Sequence, residues 1–563
     1  MDITFLGATG TVTGSCYLVT VGDRHVMVDC GLYQGLPELI ERNYTHPSVR
    51  WSEIDVILLT HAHVDHSGLI PRAVKNGFRG YIYTHPATID LCDILFRDSV
   101  EIQKRDAEWI SRKHKRAGLQ TVRPLYDLRD AIRALKKFRP VEYGEIFEVV
   151  PGVSAEYRDA GHILGSASIA LDCTENGVKK RIVFSGDLGH HQAPILKEPV
   201  GFEKSDAVLI ETTYGNRAHE SGDLRWKKLK EIIVKAAYDG GKILIPAFAV
   251  GRTQEILYII SQMMGRNEVP RIPIFLDSPM AIEATEIHAN HSECFDSETL
   301  ERLKRGENPF KPEMLKMTLT VPQSRKINSV KGSAIIIAGG GMCEGGRIQH
   351  HLKHNLYNPT NHLVFVGYQA IGTLGRAILN GERKIRLFKE DILIKAKISA
   401  IGAFSAHADK NGLIDWLGKF QTPPETVFLI HGEEHSSKAF SETVREKLGF
   451  PTYIPKPGQM ADLENLSRIT EGERRFIQIP MPETGDLHEI VSRVSVLGDE
   501  FHEAVTNYAT FLAKRITEPE LPDGEPLRKT QEVSDILQHL SEVVGTDVEK
   551  LKQAAYITMK VLT

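Results

Sequence analysis

The chain has 563 residues, 41% hydrophobic and 25% charged, with a formal net charge of −4. That length suits roughly three or four domains with ample core, and that charge excludes a molecule that is a polycation over its whole surface, so any positive field is local. No apolar run reaches the length of a membrane span, and the opening MDITFLGATGTVTGS lacks the basic start and long apolar run of a signal peptide.

The six cysteines (Cys16, Cys30, Cys92, Cys173, Cys294 and Cys343) form no C-x-x-C pair. This predicts buried free thiols in a cytoplasmic protein, not a zinc knuckle or redox motif. The chain opens with short β-branched stretches bounded by Gly, Asp or Asn: MDITFLG, SCYLVTVG, RHVMVDCG and IDVILLTH. GYIYTHP, VSAEYRDAG, ASIALDC, RIVFSGD and AVLIETTYG follow in the same style, and all read as strands. A helical pattern interrupts them at residues 88–116, with Ile89, Leu91, Ile94, Leu95 and Val100 apolar among charges. From about Gly215 the rhythm becomes strand–turn–helix: KILIPAF, IPIFLDSP, SAIIIAGGG and LVFVGYQ each precede a helical pattern. Buried strands alternating with helices predict a doubly wound α/β unit. After about Leu393 strand-like text returns in AKISAIGAF and TVFLIHGE, so one domain is expected to be interrupted by another. Beyond Asp462, an apolar face including Ile490, Val494, Phe501, Tyr508 and Leu512 predicts a helical extension, broken by EPELPDGEP. The expected organisation is residues 1–210 and 394–462 as one domain, 211–393 as its insertion and 463–563 as the extension. The basic stretches at 113–116 and 136–139 read first as solvated faces.

Residues 60–68, THAHVDHSG, place His61, His63, Asp65 and His66 within six positions at a strand end. A lone loop histidine is usually structural; four groups of metal-ligand type at this density reverse that expectation. His61 and His63 can point into one cation's sphere, and Asp65 and His66 can serve a second; imidazole and carboxylate suit zinc. Later strand ends supply further groups: His162 in DAGHILG, Asp187 in FSGDLG and His431 in FLIHGE. Asp187 is the natural bridge between two cations about 3.5–4 Å apart. Asp29, ending HVMVDCG, can orient a ligand or the attacking water from outside the ligand sphere.

With H-x-H-x-D-H at 61–66 and the outlying Asp29, His162 and Asp187, the sequence resembles the metallo-β-lactamase superfamily. The α/β insertion followed by SAHAD (405–409) and IHGE (430–433) makes it look like the β-CASP branch, nucleases that process RNA or DNA. Within that branch it resembles the mRNA 3′-end cleavage nuclease and its prokaryotic relatives. The resemblance covers roughly residues 1–460. It implies an αββα metallo-β-lactamase sandwich with an inserted doubly wound β-CASP domain and two Zn²⁺. One zinc would be held by His61, His63, His162 and Asp187, the other by Asp65, His66, Asp187 and His431. Glu211 matches the family's first additional motif, His407 the second and His431 the third, and a histidine at the third accompanies RNA-processing members.

The expected activity is zinc-dependent hydrolysis of single-stranded RNA by a hydroxide held between the two metals, leaving 5′-phosphate and 3′-hydroxyl ends. Endonuclease action is favoured over 5′-exonuclease action. Asp65 and Asp187 would act at the metals, and His407 would protonate the leaving oxygen with Glu211 holding its ring. Strand–helix turns offer substrate contacts in Arg252, Gly340, Gly341 and Arg376, with Ser405 beside His407 and Tyr214 as a stacking candidate. Each of these has a bland alternative in turn formation or core packing. The rival readings are a small-molecule hydrolase of thioesterase or lactamase type, and a non-catalytic RNA-processing scaffold. The helical extension suggests homo-oligomerisation or docking, with packing onto the chain's own body an equal alternative.

Overall fold

The computed structural model describes residues 1–471, apart from 46, 48, 117–120, 192, 220, 221, 370, 371 and 467. The chain divides into two compact units. The second, residues 103–124 and 478–563, is described only at 103–116 and 121–124. There the helix Pro86–Arg116 carries Lys113 Nζ 3.8 Å from the Trp109 ring centroid, and Ser111 exchanges hydrogen bonds with the Val122 backbone. The predicted helices beyond residue 471 lie outside the described residues. Everything below concerns the first unit.

The opening strands are short, β-branched and largely buried on both faces, so they need cover on each side. Eight strands form their sheet, in the order Ile469–Glu471, Gln459–Asp462, Asp2–Phe5, Tyr17–Val21, Arg24–Val28, Val56–Leu58, Tyr81–Thr84, Phe138–Pro140. Seven strands form a second sheet: Thr452–Tyr453, Thr426–Ile430, Ala207–Glu211, Val178–Phe184, Ala167–Glu175, Val153–Asp159, Ile146–Val150. Their inner faces share one core, in which Ile3, Val19 and Val26 meet Ile169, Leu171, Phe184 and Phe428. Helices cover both outer faces. Leu413, Leu417, Phe440 and Val444 pack on Val208 and Ile210 of the second sheet, and Leu69, Ile70, Leu91 and Phe96 join Met27, Ile57 and Ile82 of the first. The result is the expected αββα sandwich. All six cysteines are buried and free. Among the described residues no helix is long and apolar enough to cross a membrane.

The insertion enters and leaves through neighbouring strands. Ala207–Glu211 and Thr426–Ile430 pair in parallel with Glu211 opposite Ile430. Between them lies a six-stranded sheet in the order Leu315–Met317, Ile274–Asp277, Ala334–Gly339, Lys242–Ala247, His362–Phe365, Lys397–Ala400, every pair parallel. Its central strands are buried throughout, as the continuous Ile/Leu/Val text requires of a sheet covered on both faces.

Two expected boundaries are corrected. Lys397–Ala400 pairs with His362–Phe365, so the inserted sheet runs past residue 393. This edge strand is only half-buried and carries little apolar text, which hid its allegiance. Residues 463–471 do not open a helical extension: Ile469–Glu471 pairs with Gln459–Asp462, and Ile469 packs against the inter-sheet core.

Close backbone approach is demanded at Gly31, where an added Cβ would lie 1.7 Å from the Asp65 carbonyl oxygen. That carbonyl accepts from Ser15 N at 2.8 Å and cannot retreat freely. Gly31→Ala is expected to cost about 1–3 kcal/mol by overpacking, read as a lower urea midpoint at unchanged slope.

Candidate metal centre

Strand direction assembles the site. Val153–Asp159, Val178–Phe184, Ala207–Glu211 and Thr426–Ile430 all run the same way, because the first two flank the antiparallel Ala167–Glu175 and the last three pair in parallel. Their carboxyl ends deliver His162, Asp187, Glu211 and His431 to one edge of the sandwich. On the facing sheet the parallel strands Arg24–Val28 and Val56–Leu58 deliver Asp29 and His61.

His61 Nε2 lies 3.1 Å from His63 Nδ1, and His162 Nε2 lies 3.2 Å from the same nitrogen. Asp187 Oδ2 is 3.5 Å from His61 Nε2 and 3.6 Å from His162 Nε2. A tetrahedron with ligand bonds of about 2.0–2.1 Å has edges of about 3.3 Å, so these separations fit four donors around one cation. The other oxygen of Asp187, Oδ1, faces a second group. It is 3.3 Å from His66 Nε2, which is 3.2 Å from His431 Nε2, which in turn is 3.6 Å from Asp65 Oδ2. Asp187 Oδ1 is buried and receives no hydrogen bond. An orphaned carboxylate oxygen among imidazole nitrogens that cannot all donate to it is what a cation would satisfy. The residues present therefore fit metal, with Asp187 facing both groups.

Most of the histidines are held through their second nitrogen. His66 Nδ1 is 2.7 Å from Asp29 Oδ2, and Asp29 also accepts from Thr60 N and Oγ1. His61 Nδ1 is 3.1 Å from Thr60 Oγ1, His162 Nδ1 is 3.2 Å from the Ala406 carbonyl, and His431 Nδ1 is 3.2 Å from Thr213 Oγ1. Each contact aims Nε2 at the cluster and fixes the tautomer. Thr60 and Thr213 were not singled out from the sequence, although both are adjacent or close to strand-end groups that were; the Ala406 carbonyl carries no side-chain signal at all. Asp29 (φ 59°) and His431 (φ 44°) occupy left-handed backbone, a conformation concentrated at functional sites.

Burial, and then the neighbouring imidazoles, hold His61 and His162 well below the usual histidine range. Burial likewise lowers His63, leaving these three neutral with lone pairs available. His66 goes the other way: burial disfavours its charge, but the Asp187 and Asp29 carboxylates outweigh burial and raise it well above the usual range. Metal binding at His66 must release a proton, so affinity there falls as the pH is lowered. Burial would raise Asp187, but the imidazoles of His431 and His66 lead a set that holds it well below the ordinary carboxylate range. Asp29→Asn keeps the left-handed backbone and an acceptor for Thr60, but removes the charge behind His66. It is expected to weaken one metal site by about 10–100-fold while leaving the other, visible as two separated steps in a zinc titration.

His407 stands beside this cluster. Its Nδ1 is 3.2 and 3.1 Å from the two Glu211 oxygens and 3.8 Å from Asp187 Oδ2. Glu211 is fully buried, and its Oε1 also accepts from Leu188 N at 2.7 Å. Burial would lower His407, but the charges of Glu211 and then Asp187 outweigh it and raise it to about 9. The backbone around His407 is pinned to the sandwich by Ala408 N donating to Leu188 O at 2.7 Å and His190 N donating to Ala406 O at 3.2 Å.

The proposed substrate contacts fare unequally. Ser405 Oγ accepts from His407 N at 3.3 Å, which makes it part of that turn. Arg252 is not available as a free cation at the surface. It is buried and paired with Glu255, which Arg225 NH1 also contacts at 2.7 Å, and both guanidiniums lie over the Phe404 ring. Gly340 and Gly341 form a packed turn: an added Cβ would lie 2.1 Å from Gly345 O at the first and 2.9 Å from the Phe248 ring at the second. Arg376 lies over the Tyr368 ring at 5.4 Å. Tyr214 is mostly buried beneath Arg217, 6.0 Å from the His407 ring, so packing describes it better than base stacking. A separate group, His85, Glu293 and Cys294, also brings donor atoms together, but His85 Nδ1 accepts from Ala87 N, which leaves the proton on Nε2 and no lone pair facing the other two.

An αββα sandwich with a histidine–aspartate cluster at the shared edge of its two sheets defines a metal-dependent hydrolase. Residues 9–88 match the model of the metallo-β-lactamase superfamily, residues 253–378 that of the Beta-Casp domain, and residues 391–455 that of the Zn-dependent metallo-hydrolase RNA specificity domain. The chain is 37% identical over 442 residues to Ribonuclease TTHA0252 of Thermus thermophilus, spanning 78% of this chain and 95% of that one. It is 31% identical over 460 residues to Transcription termination factor FttA of Methanosarcina mazei and 33% identical over 470 residues to that of Thermococcus kodakarensis. Each alignment spans 80% of this chain and 70% of the relative. The chain belongs to the β-CASP family of the metallo-β-lactamase superfamily.

Proposed function

We propose that the chain is a ribonuclease that holds two Zn²⁺ and hydrolyses internal phosphodiester bonds of single-stranded RNA, leaving 5′-phosphate and 3′-hydroxyl ends. The observation that carries this reading is His407 held by Glu211 against the face of Asp187. A proton donor beside a cation cluster is what expulsion of an alkoxide from a phosphodiester requires. The names of the relatives, a ribonuclease and transcription termination factors, support RNA as the polymer.

His61, His63, His162 and Asp187 would hold one cation, and Asp65, His66, His431 and Asp187 the other. When bound, zinc supplies water ionised near neutral pH and positive charge opposite the phosphoryl oxygens. Asp29, Thr60, Thr213 and the Ala406 carbonyl keep the imidazoles in register. His407 directs Nδ1–H to Glu211, so Nε2–H is the proton given to the leaving 3′-oxygen. Afterwards His407 regains its proton from solvent, favoured by the same carboxylate.

The test is a cleavage assay on RNA labelled at each end in turn, before and after chelation and with zinc restored. Internal fragments bearing 3′-hydroxyl ends, lost with chelator and recovered with zinc, are expected. Mononucleotides released from the 5′ end would replace endonuclease with exonuclease action. Turnover of a chromogenic lactam or thioester without RNA cleavage would overturn the reading.

A further inference from the structure

The carboxyl ends of neighbouring parallel strands are where open α/β sheets bind ligands. In the inserted sheet, Lys242–Ala247 and His362–Phe365 are such neighbours. Immediately past the first stands Phe248, and three residues past the second stands Tyr368. Both are large aromatics left exposed, at 45% and 41%. Single exposed apolar residues need no explanation, but these two follow the ends of paired neighbouring strands. The Phe248 ring lies against the backbone of Gly367, the residue before Tyr368; an added Cβ there would be 3.7 Å from it. Gly341 approaches the same ring edge, where an added Cβ would be 2.9 Å away, so a side chain at either glycine would cover part of the ring.

The surround is rigid and charged. Gln369 Nε2 donates to the Gly341 carbonyl at 2.9 Å and to the Gly367 carbonyl at 3.2 Å, tying the two loops together. Arg376 Nε donates to Gln369 O at 2.7 Å, and its guanidinium lies over the Tyr368 ring. The Phe248 carbonyl accepts from Thr253 Oγ1 at 2.7 Å, so the backbone beneath the ring is fixed. The same loop continues to Gly251, where an added Cβ would be 3.3 Å from Ile163, the neighbour of His162.

We infer that Phe248 and Tyr368 form a stacking platform for the bases of single-stranded RNA, with Arg376 supplying charge for the phosphate between them. This rests on the ribonuclease reading. Base stacking on aromatic rings tolerates any sequence but needs unpaired bases. The platform therefore makes the enzyme select unpaired RNA near the cut without reading its sequence. Loss of stacking on either ring is expected to raise KM roughly tenfold.

The test uses the zinc-loaded full chain and a series of single-stranded oligoribonucleotides in which one abasic ribose is moved along the strand. For the wild type, KM is expected to rise about tenfold at one or two fixed distances from the cut, with kcat within about twofold. Phe248→Leu and Tyr368→Leu should each raise KM for intact RNA and abolish the abasic penalty at the position its own ring occupies, since a base with no ring to stack on has nothing to lose. Both variants should hydrolyse methyl p-nitrophenyl phosphate as the wild type does. A flat abasic profile, or a profile that neither variant alters, would overturn the platform while leaving the ribonuclease reading intact. A protein that turns over the small diester but leaves every RNA uncut would remove both.

Discussion

Asp187→Ala is expected to leave the protein folded, with less than one zinc per chain and no measurable cleavage of RNA. Asp187 Oδ2 faces His61 and His162, while Oδ1 faces His66. Truncation removes a donor from both groups at once. It also leaves five imidazoles, those of His61, His66, His162, His407 and His431, without the negative charge they share, so cations bound there would repel each other with nothing between them. The loss must exceed the roughly 10–100-fold that follows removal of a ligand's hydrogen-bond partner. Metal content by elemental analysis and single-turnover cleavage, measured on the same preparation, check it. Full metal content with normal activity would remove Asp187 from its shared position.

His407→Ala separates proton transfer from metal binding. Its expected cost is about 10²–10⁴-fold in kcat, the range for a positioned acid, with metal content unchanged. Loss of metal instead would make His407 a ligand. The pH profile adds a sign. His407 is raised to about 9, so it is protonated at neutral pH and loses its proton as the pH climbs through that value. Activity that depends on it should fall on the alkaline side. Bound cations repel the imidazolium and draw that limb to lower pH, while Glu211 pushes it up. Glu211→Gln keeps an acceptor for Leu188 N but removes the charge. It should move the alkaline limb down by about one pH unit or more and lower kcat less than His407→Ala does. An alkaline limb at the same pH in Glu211→Gln would mean that the carboxylate does not tune the acid.

What was legible in the sequence was whatever stands at the end of a well-patterned strand. The seven histidine and aspartate side chains named from their strand ends meet at one edge because their strands run in parallel. What was not legible depended on groups without side-chain identity or on partners distant in the chain. The Ala406 carbonyl behind His162 is a backbone atom. The strand Lys397–Ala400 carries too little apolar text to announce which sheet it joins. Arg252 read as a phosphate contact because its turn resembled the others. Its pairing with Glu255, three residues on, was open to view, but Arg225 arrives from a different helix. Phe248 and Tyr368 stand at the ends of KILIPAF and LVFVGYQ, where pattern alone cannot tell an exposed ring from a buried one.

The segment that carries His407 starts in one lobe and ends in the other. Lys397–Ala400 is the outer strand of the insertion, while residues 406–408 are zipped along 188–190 of the sandwich. Between those ends the chain is not slack: Ile401 N donates to Phe365 O at 2.9 Å, and Phe404 is fully buried beneath Arg225 and Arg252. The turn that carries His407 is therefore clamped from both sides, and a change in the packing around Phe404 would be felt at the imidazole.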